Sequence, residues 1–459
     1  MKSCVVLLAL LVVPITAYGH AEIFFPKVFS VAELPTTGFV LLNPDTSLST
    51  VNIYLLSTSG SVISGPALRR IEPGGQLSQL GRELFPTATN SGWVYVINDT
   101  EGMQAFWLNY DAGTTFMDGA EAFQYETIGA DQIVPLVAGQ SELNIINPNF
   151  TATPITIRLF GRDGELAPAS SRQLPIAGAL QAQASVMFPG VDMSQARYLR
   201  IQSGLPIAST VLIRGFLVPI ESAVINGSNV GTGTSMSFPH VINGALTGAN
   251  YTTVIGVTNV SSATQSVTIT LNPDGGSPIS INRTLPANGA LRETALDLFG
   301  LPTTFQGGWV NVTGTAPVAG FAAYADIVGG AIAVVPAGDS QTSLFFSHIA
   351  DGPPQWQTGV ALLNAGSDSA LVEVYAMTPS GALIGKTTLS LSPGVKLAKV
   401  IHELIPETRG VNGGFVFVRT TNNVPLYGIE LFYTEDLKVL SNVAAGKLSG
   451  INFVPPGSF

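Results

Sequence analysis

Five short landmarks recur four times along the chain, always in the same order and at intervals close to 105 to 110 residues. No other feature constrains the fold as tightly, because a repeated supersecondary unit means a repeated architecture. The first landmark is an apolar strand: FFPKV from Phe24, IVPLV from Ile133, FPHVI from Phe238 and FFSHI from Phe345. A second strand closes on an asparagine at Asn43, Asn147, Asn259 and Asn364. The turn-bearing IEPGGQL (from Ile71) returns as LPIAGAL (Leu174), LPANGAL (Leu285) and LSPGVKL (Leu391). A short apolar turn follows (ELFP, VMFP, DLFG, ELIP), and then a strand: GWVYV from Gly92, RYLRI from Arg197, GWVNV from Gly308 and GFVFV from Gly414.

Each unit is roughly a hundred residues long and carries about seven segments of strand character. VNIYLL (Val51), ITIRLF (Ile155), VTITLN (Val267) and VEVYAM (Val372) alternate with period two and are rich in β-branched and aromatic residues. Beyond residue 21 the best helical stretch is KVIHELI, Lys399 to Ile405, and it is short. The sequence therefore predicts an all-β chain of four tandem Ig-like antiparallel β-sandwich domains after a signal peptide. The expected boundaries are 1–21 for the signal peptide, then 22–122, 131–228, 236–338 and 343–459 for the sandwiches. Asn452 to Pro456, NFVPP, reads as a fifth copy of the first strand. Its plainest role is to close the fourth sandwich; the alternative is strand addition to the first unit or to another chain.

An apolar strand ending in Asn, a V-x-V-x-L strand, and an L-x-P-G-G turn leading into another strand together resemble bacterial Ig-like and fibronectin-III-like modules of surface proteins, including CARDB-type domains. The resemblance implies binding or scaffolding rather than chemistry. The second unit departs most, with RYLRI in place of a Gly-aromatic pair.

The opening residues carry Lys2, an apolar run from Val5 to Ile15 and small-residue exits near Ala17 to Ala21, the layout of a secretory signal peptide. The only cysteine, Cys4, lies within it, so no disulfide, thiol nucleophile or Cys-based metal site is expected after cleavage. A formal charge of −10 without basic clusters argues against nucleic acid. The apolar run 316–338 is long enough to span a bilayer, yet Gly329-Gly330 divides it into two expected strands.

Candidate chemistry is sparse. His240 and His348 share a repeat position and read as partly exposed strand histidines, while His402 stands in a short turn beside Glu403. No P-loop, nucleophile elbow or H-E-x-x-H occurs. Asp111 and Asp326 read as turn formers, lacking the alternating oxygen ligands of a calcium loop. Trp93 and Trp309 share a repeat position and are expected to plug the sandwich cores, leaving Trp356 as the surface candidate. Seven N-x-S/T sequons begin at Asn98, Asn149, Asn226, Asn250, Asn259, Asn282 and Asn311. No catalytic residue, metal ligand or cofactor is expected, and the binding residues stay unassigned. The expectation is a secreted, extracellular or cell-surface structural and adhesive array, with the periplasm as another address and self-association, surface proteins or glycans as partners. The alternative is an array of carbohydrate-binding modules.

Overall fold

The computed structural model describes residues 21–446, except 112, 114, 232, 247, 303, 305 and 353–355, together with Phe453. Each repeat forms two antiparallel sheets. Counting strands within a sandwich, one sheet has the order fourth-third-sixth-first and the other fifth-second-seventh-eighth. In the first sandwich these strands are Ala21–Phe29, Thr37–Leu42, Ser49–Leu56, Val62–Ile71, Gln76–Leu80, Gly92–Asn98, Gln104–Tyr110 and Met117–Glu121. In the second, the sixth and seventh strands fuse into one 17-residue strand, Tyr198–Arg214, which passes from one sheet to the other. Three sandwiches have eight principal strands, one more than the roughly seven the sequence suggested, and the second has seven because two are fused.

The repeated asparagine is a buried clamp. In each unit its amide donates to the main-chain carbonyl four residues on, and to a carbonyl where the fourth strand ends. Asn259 Nδ2 reaches Ala263 O at 2.8 Å and Leu285 O at 3.2 Å; Asn364 Nδ2 reaches Asp368 O at 2.7 Å and Leu391 O at 2.8 Å. Its Oδ1 accepts from the N–H two residues on: Asp45, Asn149, Ser261 and Gly366. One side chain so satisfies several buried backbone groups at once, which is why all four copies keep it. A hydroxyl six residues earlier, on Thr37, Ser141, Thr253 or Thr358, donates to a main-chain carbonyl in or just after the first strand.

The apolar turn after the fifth strand is a single helical turn in each unit: Gly81–Leu84, Ala184–Met187, Ala295–Phe299 and Ile401–Leu404. The run 316–338 forms the seventh and eighth strands of the third sandwich, with Ala322 paired to Val335. No helix among the described residues is long and apolar enough to cross a membrane.

The four sandwiches do not stand in a row; they close into a ring. Each unit's second sheet turns its outer face to the preceding unit. Leu212 and Val224 of the second join the core of the first. Val254, Phe321 and Val334 of the third join the core of the second. Ala361, Ile429 and Leu440 of the fourth join the third, and Val40, Phe106 and Met117 of the first meet Phe432 and Val439 of the fourth. The eighth strands, Met117–Glu121, Ser222–Asn226, Ile332–Pro336 and Leu440–Ala444, pack on one another in that cyclic order. Each would be a bare sheet edge in an isolated sandwich. Burying all four at the centre of the ring removes that hazard.

Of NFVPP only Phe453 lies among the described residues. Its ring packs edge-on against Phe345, Phe415 and Phe417 of the fourth sandwich, 4.9–5.9 Å between centroids.

Candidate functional site

Because the sandwiches are related by repetition, their four seams use the same positions, and differences between seams stand out. The turn between fourth and fifth strands carries a residue with positive φ in every unit: Gly74, Ala177, Asn288 and Gly394. Three of them face an aromatic near the start of the sixth strand of the preceding unit. Trp93 Nε1 donates to Ala177 O at 3.1 Å, the Tyr198 hydroxyl to Asn288 O at 2.9 Å and Trp309 Nε1 to Gly394 O at 3.0 Å. The expectation that Trp93 and Trp309 fill sandwich cores is corrected here, since both seal seams. Tyr198 is the second unit's counterpart, hidden in RYLRI because no glycine precedes it. At the fourth–first seam Phe415 has no donor, and Phe453 lies against the Gly74 turn instead.

Two residues beyond that turn residue, three seams are zipped by a main-chain hydrogen bond. Ala179 N donates to Thr58 O (2.9 Å), Ala290 N to Arg162 O (3.0 Å) and Gln76 N to Pro379 O (2.7 Å). At the closing seam the Gln76 side chain adds three more bonds, donating to Ser347 O and Gly414 O and accepting from Gly414 N. At two of the three zipped seams the approach is close, whereas a Cβ on Gly75 would stand nearest Glu72 of its own turn. A Cβ on Gly178 would stand 2.8 Å from Thr58 O, and one on Gly289 2.6 Å from Arg162 O. The fourth unit has Val395 at that position.

The third–fourth seam has no such main-chain bond among the described residues. Lys396 bridges it with its side chain instead, Nζ lying 3.0 Å from Asp274 Oδ2, 3.0 Å from Gly308 O and 3.5 Å from His240 Nδ1. Other equivalent side chains are also cut back. Gln181 and Arg292 reach back to Val28 O and Val137 O of the preceding unit, but the fourth sandwich has Ala398 there. Where the first and third sandwiches present Phe106 and Phe321, the fourth presents Ile429 beside Ala361.

Two adjoining cavities result, of about 400 and about 1040 Å³, sharing His240, Ile242, Leu431 and Tyr433. Burial pulls the His240 imidazole down to about 3, with the Lys396 charge adding to the effect, so the ring is neutral at neutral pH. Lys396 is itself lowered by burial, against the opposing pull of Asp274. Tyr433 is pushed up to about 12, mainly by desolvation.

The remaining sequence candidates do not converge. His348 is partly exposed and lies between Phe106 and Phe432 at the fourth–first seam, its Nδ1 buried without a partner among the described residues. His402 Nδ1 contacts the buried Asp351 carboxylate at 2.9 Å. Asp111 and Asp326 cap their hairpin turns, accepting from Thr115 N and Gly329 N. Trp356 is half-buried at the fourth–first seam, not a free surface aromatic. The sequons at Asn98 and Asn259 are buried. Among the described residues no group of three metal-ligating side chains is found. Sequence reasoning missed this cleft, although its sign was present: LSPGVKL alone has valine where its counterparts have glycine.

No family model and no curated protein matches the chain. Among solved structures, a Thermotoga maritima protein aligns with 24% of this chain and 95% of its own, at 16% identity and a TM-score of 0.21. A tetra-tandem repeat from the extending region of a large adhesion protein aligns with 92% of this chain and 98% of its own, at 11% identity and a TM-score of 0.10. Neither score is high enough for the likeness to carry an argument.

Proposed function

We propose that the chain is a secreted or cell-surface structural protein that makes adhesive contacts without catalysis, and that it works as a closed ring rather than an extended spacer. The observation that supports this reading is how the sheets are used. The second sheets and all four eighth strands are consumed by the seams, which leaves the fourth strands, Val62–Ile71, Ser170–Leu174, Ile279–Leu285 and Leu383–Leu391, as outward edges. Each edge presents a cation on a chain that is otherwise acidic: Arg70, Arg172, Arg283 and Lys386. Charged edges resist strand addition, so contacts through them are made by side chains and the ring stays monomeric. Four related surfaces on one rigid body give multivalent attachment.

Small-angle scattering tests the shape. A compact chain of this length has a radius of gyration of about 23 Å, and a rod of four sandwiches roughly twice that. Fractionation of expressing cells tests the address. Charge reversal at Arg70, Arg172, Arg283 and Lys386 together should abolish surface attachment; attachment that survives it would sink the adhesive reading.

A further inference from the structure

We infer that the cleft between the third and fourth sandwiches is a binding site for a neutral carbohydrate. This inference stands apart from the adhesive reading, because it rests on the chemistry of one seam. The cleft lies where the fourth unit differs from its neighbours: Val395 stands in place of glycine, Ala398 in place of the long polar side chains of the second and third units, and Ile429 beside Ala361 in place of the phenylalanine of the first and third. The polar groups that remain are matched to hydroxyls. Lys396 is consumed by Asp274 and Gly308 O, and it faces His240 Nδ1, which leaves the proton of this histidine, a lining residue of both cavities, on Nε2. The Tyr433 hydroxyl and the Gln357 amide also line the space with no partner among the described residues, as does the Glu435 carboxylate. Tyr251 and Tyr324 are not free, since they donate to Leu437 O and His240 O and serve as aromatic wall.

The lining therefore offers separate donors, one amide that both donates and accepts, one carboxylate acceptor, and apolar and aromatic surface between them. No uncompensated cation is present to recruit an anion. Of the carboxylates in the lining only Glu435 lacks an ion-pair partner, since Lys396 holds Asp274 and Lys399 holds Glu403, and one free carboxylate is too little for a metal ion. A purely apolar ligand would strand the histidine, tyrosine and glutamine groups unpaired. Sugars combine hydroxyls that both donate and accept with apolar C–H faces suited to aromatic walls. Two joined cavities provide room for more than one ring, the larger one reaching Trp309.

The test titrates the full chain with gluco-, manno- and galacto-oligosaccharides by calorimetry and ligand-detected NMR, alongside acetate, inorganic phosphate and tetramethylammonium. At least one neutral oligosaccharide should bind. Tyr433→Phe should weaken it about threefold to tenfold, and Glu435→Gln about tenfold or more, the usual worth of a neutral and a charge-assisted hydrogen bond. Ala398→Arg restores the side chain that the second–third seam carries, and should abolish binding while the thermal midpoint holds or rises. The inference is overturned if no neutral sugar binds, if only acetate, phosphate or tetramethylammonium does, or if sugar binding is indifferent to Ala398→Arg in a folded variant. None of these results depends on whether the protein adheres to a surface.

Discussion

The two seams of the fourth sandwich are built from the same positions and come out opposite. Towards the first sandwich, Gln76 supplies a main-chain bond and three side-chain bonds, and Phe453 fills the aromatic pocket beside the Gly74 turn. Towards the third, the main-chain bond is absent, Lys396 stands in for it, and two cavities lie open. At the zipper position the first sandwich has Gly75 and the fourth has Val395; in the second and third sandwiches the matching glycines, Gly178 and Gly289, lie where a β-carbon would crowd the facing carbonyl. A repeat array can thus create a site by erosion at one seam while its copies keep the ring shut.

The largest effect is expected where the ring closes. Phe453→Ala removes a ring packed among three phenylalanines, and should cost about 3–5 kcal/mol in chemical denaturation, the usual range for a buried Phe→Ala change. A loss below about 1 kcal/mol would mean that the closing seam does not depend on this residue.

Next comes the body between the two seams. Glu430 lies in the core of the fourth sandwich, paired in register with Val360, and neither carboxylate oxygen has a partner among the described residues. The corresponding residues elsewhere are Trp107, Val211 and Ala322. Desolvation pushes this carboxyl well above its ordinary value of 4.5. The folded state therefore holds the proton more tightly than the unfolded chain does. The linked stability is complete below the unfolded pKa and is lost as pH climbs from there through the raised folded value. Glu430→Val should raise stability at pH 7 by about 3 kcal/mol, the upper range for relieving a buried unsatisfied polar group. It should also flatten the decline above pH 4.5. Unchanged pH dependence in urea titrations of the variant would assign the slope to other groups.

Much of this was legible in the sequence, and the illegible part has a physical cause. The five landmarks are local chemistry: Asn364 clamps its own turn, and VTITLN alternates because one face is buried. Such features repeat in the sequence because each sandwich needs them. Ring closure is different. Nothing near Phe106 announces that it will meet Phe432, more than three hundred residues away, because apolar residues on the outer face of a sheet read the same whether a neighbour covers them or not. Trp93 and Trp309 misled for that reason. An aromatic at a strand start looks like core filler until the carbonyl it donates to, in the next sandwich, is known. The cleft was half legible, since Val395 breaks a pattern otherwise kept by Gly75, Gly178 and Gly289.

Gln76→Ala should matter less than the changes in the fourth core, because only part of the zipper goes with it. The main-chain bond from Gln76 N survives, while Ser347 O, Gly414 O and Gly414 N lose their amide partner. About 2 kcal/mol is expected, in the range for partly buried groups left unpaired. The corresponding change at the open seam, Lys396→Ala, should cost less, because water already reaches Asp274, whose side chain is 52% exposed. Equal losses at the two positions would remove the distinction between a zipped and a propped seam.

The smallest stability effect should come from Val395→Gly, and it is the sharpest test of that distinction. Glycine carries an entropic penalty of roughly 0.5–1 kcal/mol relative to a residue with a side chain. Closing the seam supplies a main-chain hydrogen bond of about 1 kcal/mol, from Lys396 N to the Asp274 carbonyl, as in the other three seams. The two nearly cancel, so denaturation curves should barely move. Amide exchange, however, should report the change directly. The Lys396 N–H, without a partner across the seam in the parent, should become protected in the variant to the level of Ala179 and Ala290. If its exchange stays fast, valine is not what keeps the sandwiches apart, and the cut-back side chains at Ala398 and Ala361 must hold the cleft open unaided.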